Sequence, residues 1–356
     1  MEYLTLSEIA KRAKQNLSKN VWDYLIGGAD TESSIRRNRH GVDSWVFRPR
    51  ILNEVSSVNA RSEFLGVPLR LPVLLAPLGS VQVFESGGAA SVAKAAKEFG
   101  VLQILSSVCT PEFEDLAQQV PGPRIFQLYL LGDEAWMDDI IARSIEAGYT
   151  AFCLTADTQT YSRRERDIMK RYIPGSGRQV GVADFGYQST MTWKTVEHIK
   201  SKFDIPLMIK GVAVAEDAER CVASGVDVVY VSNHGGRQLD HTRACIDVLP
   251  EVVAAVDGRV PVVVDGGFMR GADVVKGLCL GATAVGMGRL QALAMAAGGE
   301  PVVLRALEIL EHEVLTTMAL MGISDIKDLN GELLEKVEPI THAHVLSAFP
   351  LLEEGY

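Results

Sequence analysis

Through the middle of the chain, short apolar runs alternate with amphipathic stretches. The runs occupy residues 71–78, 101–108, 123–131, 151–157, 206–212, 228–234, 261–267 and 284–289. Each is flanked by Gly or Pro and rich in Val, Ile and Leu, as strands buried on both faces require. Helical patterns fill the intervals, for example 89–99, 133–147 and 215–224. Eight such β–α units predict one domain over 1–356 built on a closed (β/α)8 TIM barrel at about 71–300, with helices outside. A doubly wound open sheet is the alternative, but eight regular repeats favour closure. No GxGxxG opens a helix after the first run, so the dinucleotide fingerprint is missing.

Catalytic groups in such barrels project from the C-terminal strand ends. Here the runs finish in Ser106, Gln127 with Tyr129, Thr155 with Asp157, Lys210, Ser232 with His234, Asp265, and Arg289. Strands must become polar somewhere, and chance supplies two or three such endings. Seven of eight points to one shared site. Two segments fall outside the repeat. Residues 1–70 read as a helical cap over one end of the barrel. Residues 158–190 form a connection far longer than usual, carrying Arg163, Arg164, Glu165, Arg166 and Asp167 and then a Gly-rich stretch at 174–181. A long loop at that rim is a lid candidate.

Composition narrows the function classes. Among 356 residues, 47% are hydrophobic and 22% charged, which is globular composition. The net charge of −10 lacks the basic block that nucleic-acid phosphates need. Cys109, Cys153, Cys221, Cys245 and Cys279 are scattered without a CxxC pair, so neither a disulfide framework nor a metal site is expected. The charged N-terminus lacks a signal-peptide core, and no apolar run is long enough for a bilayer. A cytoplasmic enzyme is the expectation.

The densest chemistry lies at 228–240, where an apolar run delivers Ser232, Asn233 and His234, then two glycines and Arg237. A lone histidine at a strand end is ordinarily a satisfied core residue. Beside an arginine returned by a glycine turn, it becomes a base next to an anion clamp, which suits proton abstraction from a small carboxylic acid. Lys210 ends an apolar strand, where a charge needs either an internal carboxylate or an anionic ligand. Asp265-Gly266-Gly267 and Gly286-Met287-Gly288-Arg289 close the last two runs, the usual phosphate site of this barrel.

These pieces resemble the FMN-dependent α-hydroxy-acid oxidases and dehydrogenases, the group of glycolate oxidase, lactate oxidase and mandelate dehydrogenase. The resemblance runs from about residue 6 to beyond residue 289. It rests on Ser232-Asn233-His234-Gly235-Gly236-Arg237-Gln238, supported by Trp22-Asp23-Tyr24, Gly27-Gly28-Ala29, Phe47-Arg48-Pro49-Arg50, Ala76-Pro77, Phe126-Gln127-Leu128-Tyr129, Thr155-Ala156-Asp157, Arg163-Arg164-Glu165 and Lys210-Gly211. It implies FMN as cofactor and His234 as base, oriented by Asp157. It implies a carboxylate clamp of Arg237 and Arg164 with the hydroxyls of Tyr24 and Tyr129. The flavin ring falls to Pro77, Leu78, Gly79, Ser106, Gln127, Tyr129, Thr155, Lys210 and Ser232. The phosphate falls to Asp265, Gly266, Gly267, Met269, Arg270, Gly288 and Arg289. The implied reaction oxidises an (S)-2-hydroxy acid to the 2-keto acid, with O2 or another acceptor reoxidising the flavin, in a homotetramer without nucleic-acid or membrane partners. Oxidative decarboxylation of a 2-hydroxy acid, or a specialised biosynthetic flavoprotein on the same barrel, are the alternatives.

Three positions depart from the family pattern. Met269 stands where members usually carry Arg, so the phosphate is expected to be held more weakly unless Arg270 compensates. Gly79 stands where glycolate oxidase has Ala, as it does in mandelate dehydrogenase, which leaves the electron acceptor open. Val108 stands where glycolate oxidase has Trp, which predicts a roomier pocket, lined also by Phe84 and Tyr161, for a substrate bulkier than glycolate.

Overall fold

The computed structural model describes residues 3–174, 186–340 and 342–355. In chain order its strands are β1 (Trp45–Phe47), β2 (Ser62–Phe64), β3 (Val67–Leu69), β4 (Val73–Leu75), β5 (Leu102–Ser106), β6 (Ile125–Leu128), β7 (Ala151–Thr155), β8 (Leu207–Val212), β9 (Val228–Val231), β10 (Val262–Val264), β11 (Ala284–Met287) and β12 (Leu334–Lys336). Strands β4 to β11 each fall inside one of the eight apolar runs. They pair in parallel around a full ring, closed where β11 meets β4 through Val285↔Val73, which excludes the open sheet.

Alternation along these strands builds two cores. Outward residues such as Phe126, Phe152 and Val229 pack under the helices, including Gly88–Phe99, Glu134–Glu146 and Ala215–Ala223. Inward residues such as Leu74, Ile104, Ile125, Cys153, Met208, Val228 and Val263 form a separate apolar plug. The same period of two continues into Ser106, Gln127, Thr155, Lys210, Ser232 and Asp265, all buried. The barrel interior thus turns from apolar to polar at its C-terminal end.

The N-terminal segment does more than cap one end. Helices Leu6–Asn16, Lys19–Ile26 and Ser33–Ser44 lead up to β1, which pairs with β12 near the chain's end. The β2–β3 hairpin sends Phe64 and Leu69 into the interior plug, while Tyr24 and Leu25 reach the cavity at the polar end. One segment therefore serves both mouths, because a barrel must be sealed where its apolar interior meets water.

The long connection after β7 begins ordered. It holds the short helix Glu165–Met169, and the backbone of Asp30 donates to Arg163 O at 2.8 Å. Arg166 binds Glu32 and Asp23. These ties fasten its first part to the N-terminal helices. Of the 158–190 connection foreseen as a lid, residues 175–185 lie outside the described residues.

Candidate active site

A cavity of about 1270 Å³, counted to its open mouth, sits over the polar end of the barrel. Its wall includes Tyr24, Pro77, Leu78, Gly79, Tyr129, Arg164, Lys210, His234, Arg237, Asp265, Gly266, Gly267, Met269, Gly288 and Arg289. Most of the residues foreseen for the site thus meet in one space, although they come from the ends of many strands.

At its centre, β9 delivers His234 in the left-handed region, φ 58°, followed by Gly235 and Gly236 at 62° and 77°. A non-glycine residue there is uncommon. The turn is held because Ser232 Oγ accepts from the His234 amide at 3.0 Å and Gly236 N donates to Asn233 Oδ1 at 3.0 Å. His234 Nδ1 lies 3.1 Å from Asp157 Oδ1, and Nε2 lies 3.3 Å from the Tyr129 hydroxyl. A carboxylate only accepts, so Nδ1 carries the proton and Nε2 presents a lone pair toward the cavity. Burial pushes the imidazole pKa below its ordinary value, with Lys210 and Arg164 acting the same way against Asp157. Burial works to raise the Asp157 carboxyl, but His234 and Lys210 outweigh it and hold it down. The result is a neutral base on an ionised acid.

Three guanidiniums line the same space. Arg237 donates to Tyr24 O at 2.6 Å and Gly27 O at 2.8 Å, and lies over the Tyr24 ring. Arg164 lies over Tyr161 and reaches Ser162 Oγ at 3.3 Å. Arg289 donates to the carbonyls of Leu25, Gly27 and Gly235. Among the described residues no carboxylate is in ion-pair contact with any of them, although Asp167 attracts Arg237 from further off. Burial, reinforced by Arg237 and Arg164, pulls Arg289 down to about 9. Arg164 is buried and the other two half-buried, and cations so shielded without a carboxylate call for an anion.

The floor has a different character. Lys210, 3% exposed, donates to Ser232 Oγ at 2.9 Å and lies 3.8 Å from Asp265 Oδ2. Burial opposes its charge, but Asp265 and Asp157 outweigh it and raise its pKa. Lys210 therefore has the internal carboxylate, and it also lines the cavity. Ser106, Gln127 and Thr155 lie buried behind the wall. Gln127 is fully buried with neither amide atom hydrogen-bonded, and Thr155 Oγ1 also lacks a partner. Such orphans are costly, and a heteroaromatic ring edge with donors and acceptors meets them. An isoalloxazine ring fits this donor set.

Two expectations need correction. Arg270 does not compensate for Met269: its guanidinium binds Glu313 at 2.5 Å and 3.1 Å and lies near Phe349, away from the cavity. Ser232 is off the wall, as Ser106, Gln127 and Thr155 are, and its hydroxyl is spent between Lys210 and the His234 amide. Gln238, the last residue of the 232–238 motif, has a role that the sequence does not reveal. It lines the wall and donates to the carbonyls of Asp157 and Thr160, tying the base's loop to the orienting acid.

Comparison with known proteins shows the family. Residues 13–336 match the family described as FMN-dependent dehydrogenase. Glycolate oxidase 1 of Zea mays is 36% identical over 369 residues, covering 98% of this chain and 99% of that protein. A mandelate oxidase solved with (S)-2-phenylpropionate superposes with a TM-score of 0.88 at 35% identity, over 95% of this chain and 100% of that one. A soluble mutant of the membrane-associated (S)-mandelate dehydrogenase from Pseudomonas putida gives 0.88 at 32% identity, over 94% and 100%.

Proposed function

The chain belongs to the FMN-dependent dehydrogenase family, and on that premise we propose that it oxidises an (S)-2-hydroxy acid bulkier than glycolate, with His234 as the base. The observation that carries the base is the Asp157–His234 pair beside paired arginines that have no ion-paired carboxylate among the described residues. FMN, when bound, accepts the two electrons lost by the substrate's α-carbon. Gln127, Thr155 and Lys210 would hold its ring, and the loops at Gly266–Gly267 and Gly288–Arg289 its phosphate.

The remaining work falls to the protein. Arg237 and Arg164 bind the substrate carboxylate, and their planar forks fix its orientation. Burial keeps the Tyr129 phenol protonated, so it serves as a donor between His234 and the substrate. His234 Nε2 accepts a proton from the hydroxy acid. Asp157 keeps Nδ1–H aimed and stabilises the imidazolium that forms, as the acid of a Ser-His-Asp triad does.

Support for a bulky substrate comes from the wall. Phe84, Val108, Leu131 and Tyr161 line the same cavity as the arginines, so an apolar side chain has a surface to cover. Each buried methylene contributes roughly 0.8 kcal/mol, so two or three carbons shift preference roughly 15- to 60-fold. The test is anaerobic flavin reduction by glycolate, lactate, 2-hydroxyoctanoate and both enantiomers of mandelate. The medium-chain and aromatic (S)-acids are expected to exceed glycolate in kcat/KM, with Val108→Trp narrowing the gap. Glycolate reducing the flavin best would overturn the bulky-substrate reading.

A further inference from the structure

One buried hydroxyl takes no part in the chemistry above. Tyr230, on β9, projects into the barrel interior and is fully buried at the border between the apolar plug and the polar floor. Its ring lies under Lys210, with Nζ 5.4 Å from the centroid. Its hydroxyl has no well-formed hydrogen bond, and neither has Asp265 Oδ1 beside it. The two side chains face each other across Gly286: a Cβ built there would lie 2.1 Å from the Tyr230 hydroxyl oxygen and 3.1 Å from Asp265 Cβ. Glycine at 286 therefore makes room for a phenol at this spot, and an aliphatic residue at 230 would have left no such need.

An unmet donor beside an unmet acceptor, both buried, is a costly arrangement, and each is the natural partner of the other. Burial, and the nearby Asp265, keep the phenol protonated, so it only donates to a carboxylate. The other oxygen of Asp265 faces Lys210. We propose that Tyr230 is a positioning residue for Lys210: its hydroxyl donates to Asp265 Oδ1, draws off part of that carboxylate's charge, and so leaves more of the Lys210 charge facing the cavity. This rests on the reading that Lys210 holds the flavin ring, where a fuller positive charge stabilises the reduced cofactor.

The test is the midpoint potential of the flavin in the holoenzyme, measured for a double-mutant cycle of Tyr230→Phe and Asp265→Asn. Tyr230→Phe is expected to disfavour two-electron reduction about tenfold, close to 30 mV. Tyr230→Met, which removes the hydroxyl with a different side chain, should shift the potential the same way. In the Asp265→Asn background the shift should vanish. An equal shift in both backgrounds, or none in either hydroxyl-lacking variant, overturns the proposal. Failure of the wild-type protein to bind FMN would instead overturn the flavin reading on which it rests.

Discussion

The two ends of the cavity treat charge in opposite ways. At the His234 end, Arg164 is buried and Arg237 half-buried against carbonyls and aromatic rings, with no ion-paired carboxylate among the described residues. Beside the glycine loop after β10, the cations are already neutralised. Arg39 binds Asp273 at 2.7 Å, Arg270 binds Glu313, and the wall position between is Met269, 3% exposed. A guanidinium shielded from water without a carboxylate is favourably met by a ligand's carboxylate, so the first end suits an anion. At the second end the groups left for an anion are backbone amides and Arg289, which itself leans toward the first end through Gly235 O and Gly27 O. Charge left over after folding, rather than charge present, marks where a ligand is gripped.

The sharpest way to break the comparison is at the base. His234→Asn should keep flavin bound but slow its reduction by substrate ~10²–10⁴-fold, read by stopped flow; reduction at the wild-type rate would remove His234 from that role. The pH profile belongs to the same test. Because the folded pKa of His234 lies below 6.5, the neutral base persists as pH falls through 6.5. The acid limb of kcat/KM should therefore appear only at lower pH, and a limb centred above 6.5 would contradict this environment.

Arg237→Lys comes next. An ammonium keeps the charge but loses the planar fork, so kcat/KM should fall about 10–10²-fold while FMN affinity changes little. A matching loss of FMN affinity would show that the two ends are not separate. The smallest effect is expected at the other end. Met269→Arg adds a cation to the cavity wall and should tighten FMN up to roughly tenfold, about 1.4 kcal/mol, by fluorescence titration. An unchanged dissociation constant would mean that Arg289 and the loop amides already saturate the phosphate.

Much of this was legible in the chain because barrels translate sequence period into position. Eight apolar runs became eight strands, and their polar endings met at one rim, since alternate residues of a closed barrel face the same axis. His234, Asp157 and Lys210 were readable for that reason. Partners distant in sequence were not. Nothing adjacent to Arg270 announces Glu313, and the pairing follows from where helix Glu300–Leu320 packs.

What the sequence determined by itself is therefore the barrel, the placing of its polar residues at one end, and the chemistry those residues carry in kind. Only the tertiary structure decided which charges remain unspent. It took Arg270 out of the site and Ser232 off its wall, used the β2–β3 hairpin to seal the far end, and set Tyr230 against Asp265 through the gap at Gly286. The physical reason is that a residue's type sets what it is able to bind. Whether it is still free to do so depends on neighbours that only folding brings within hydrogen-bonding distance.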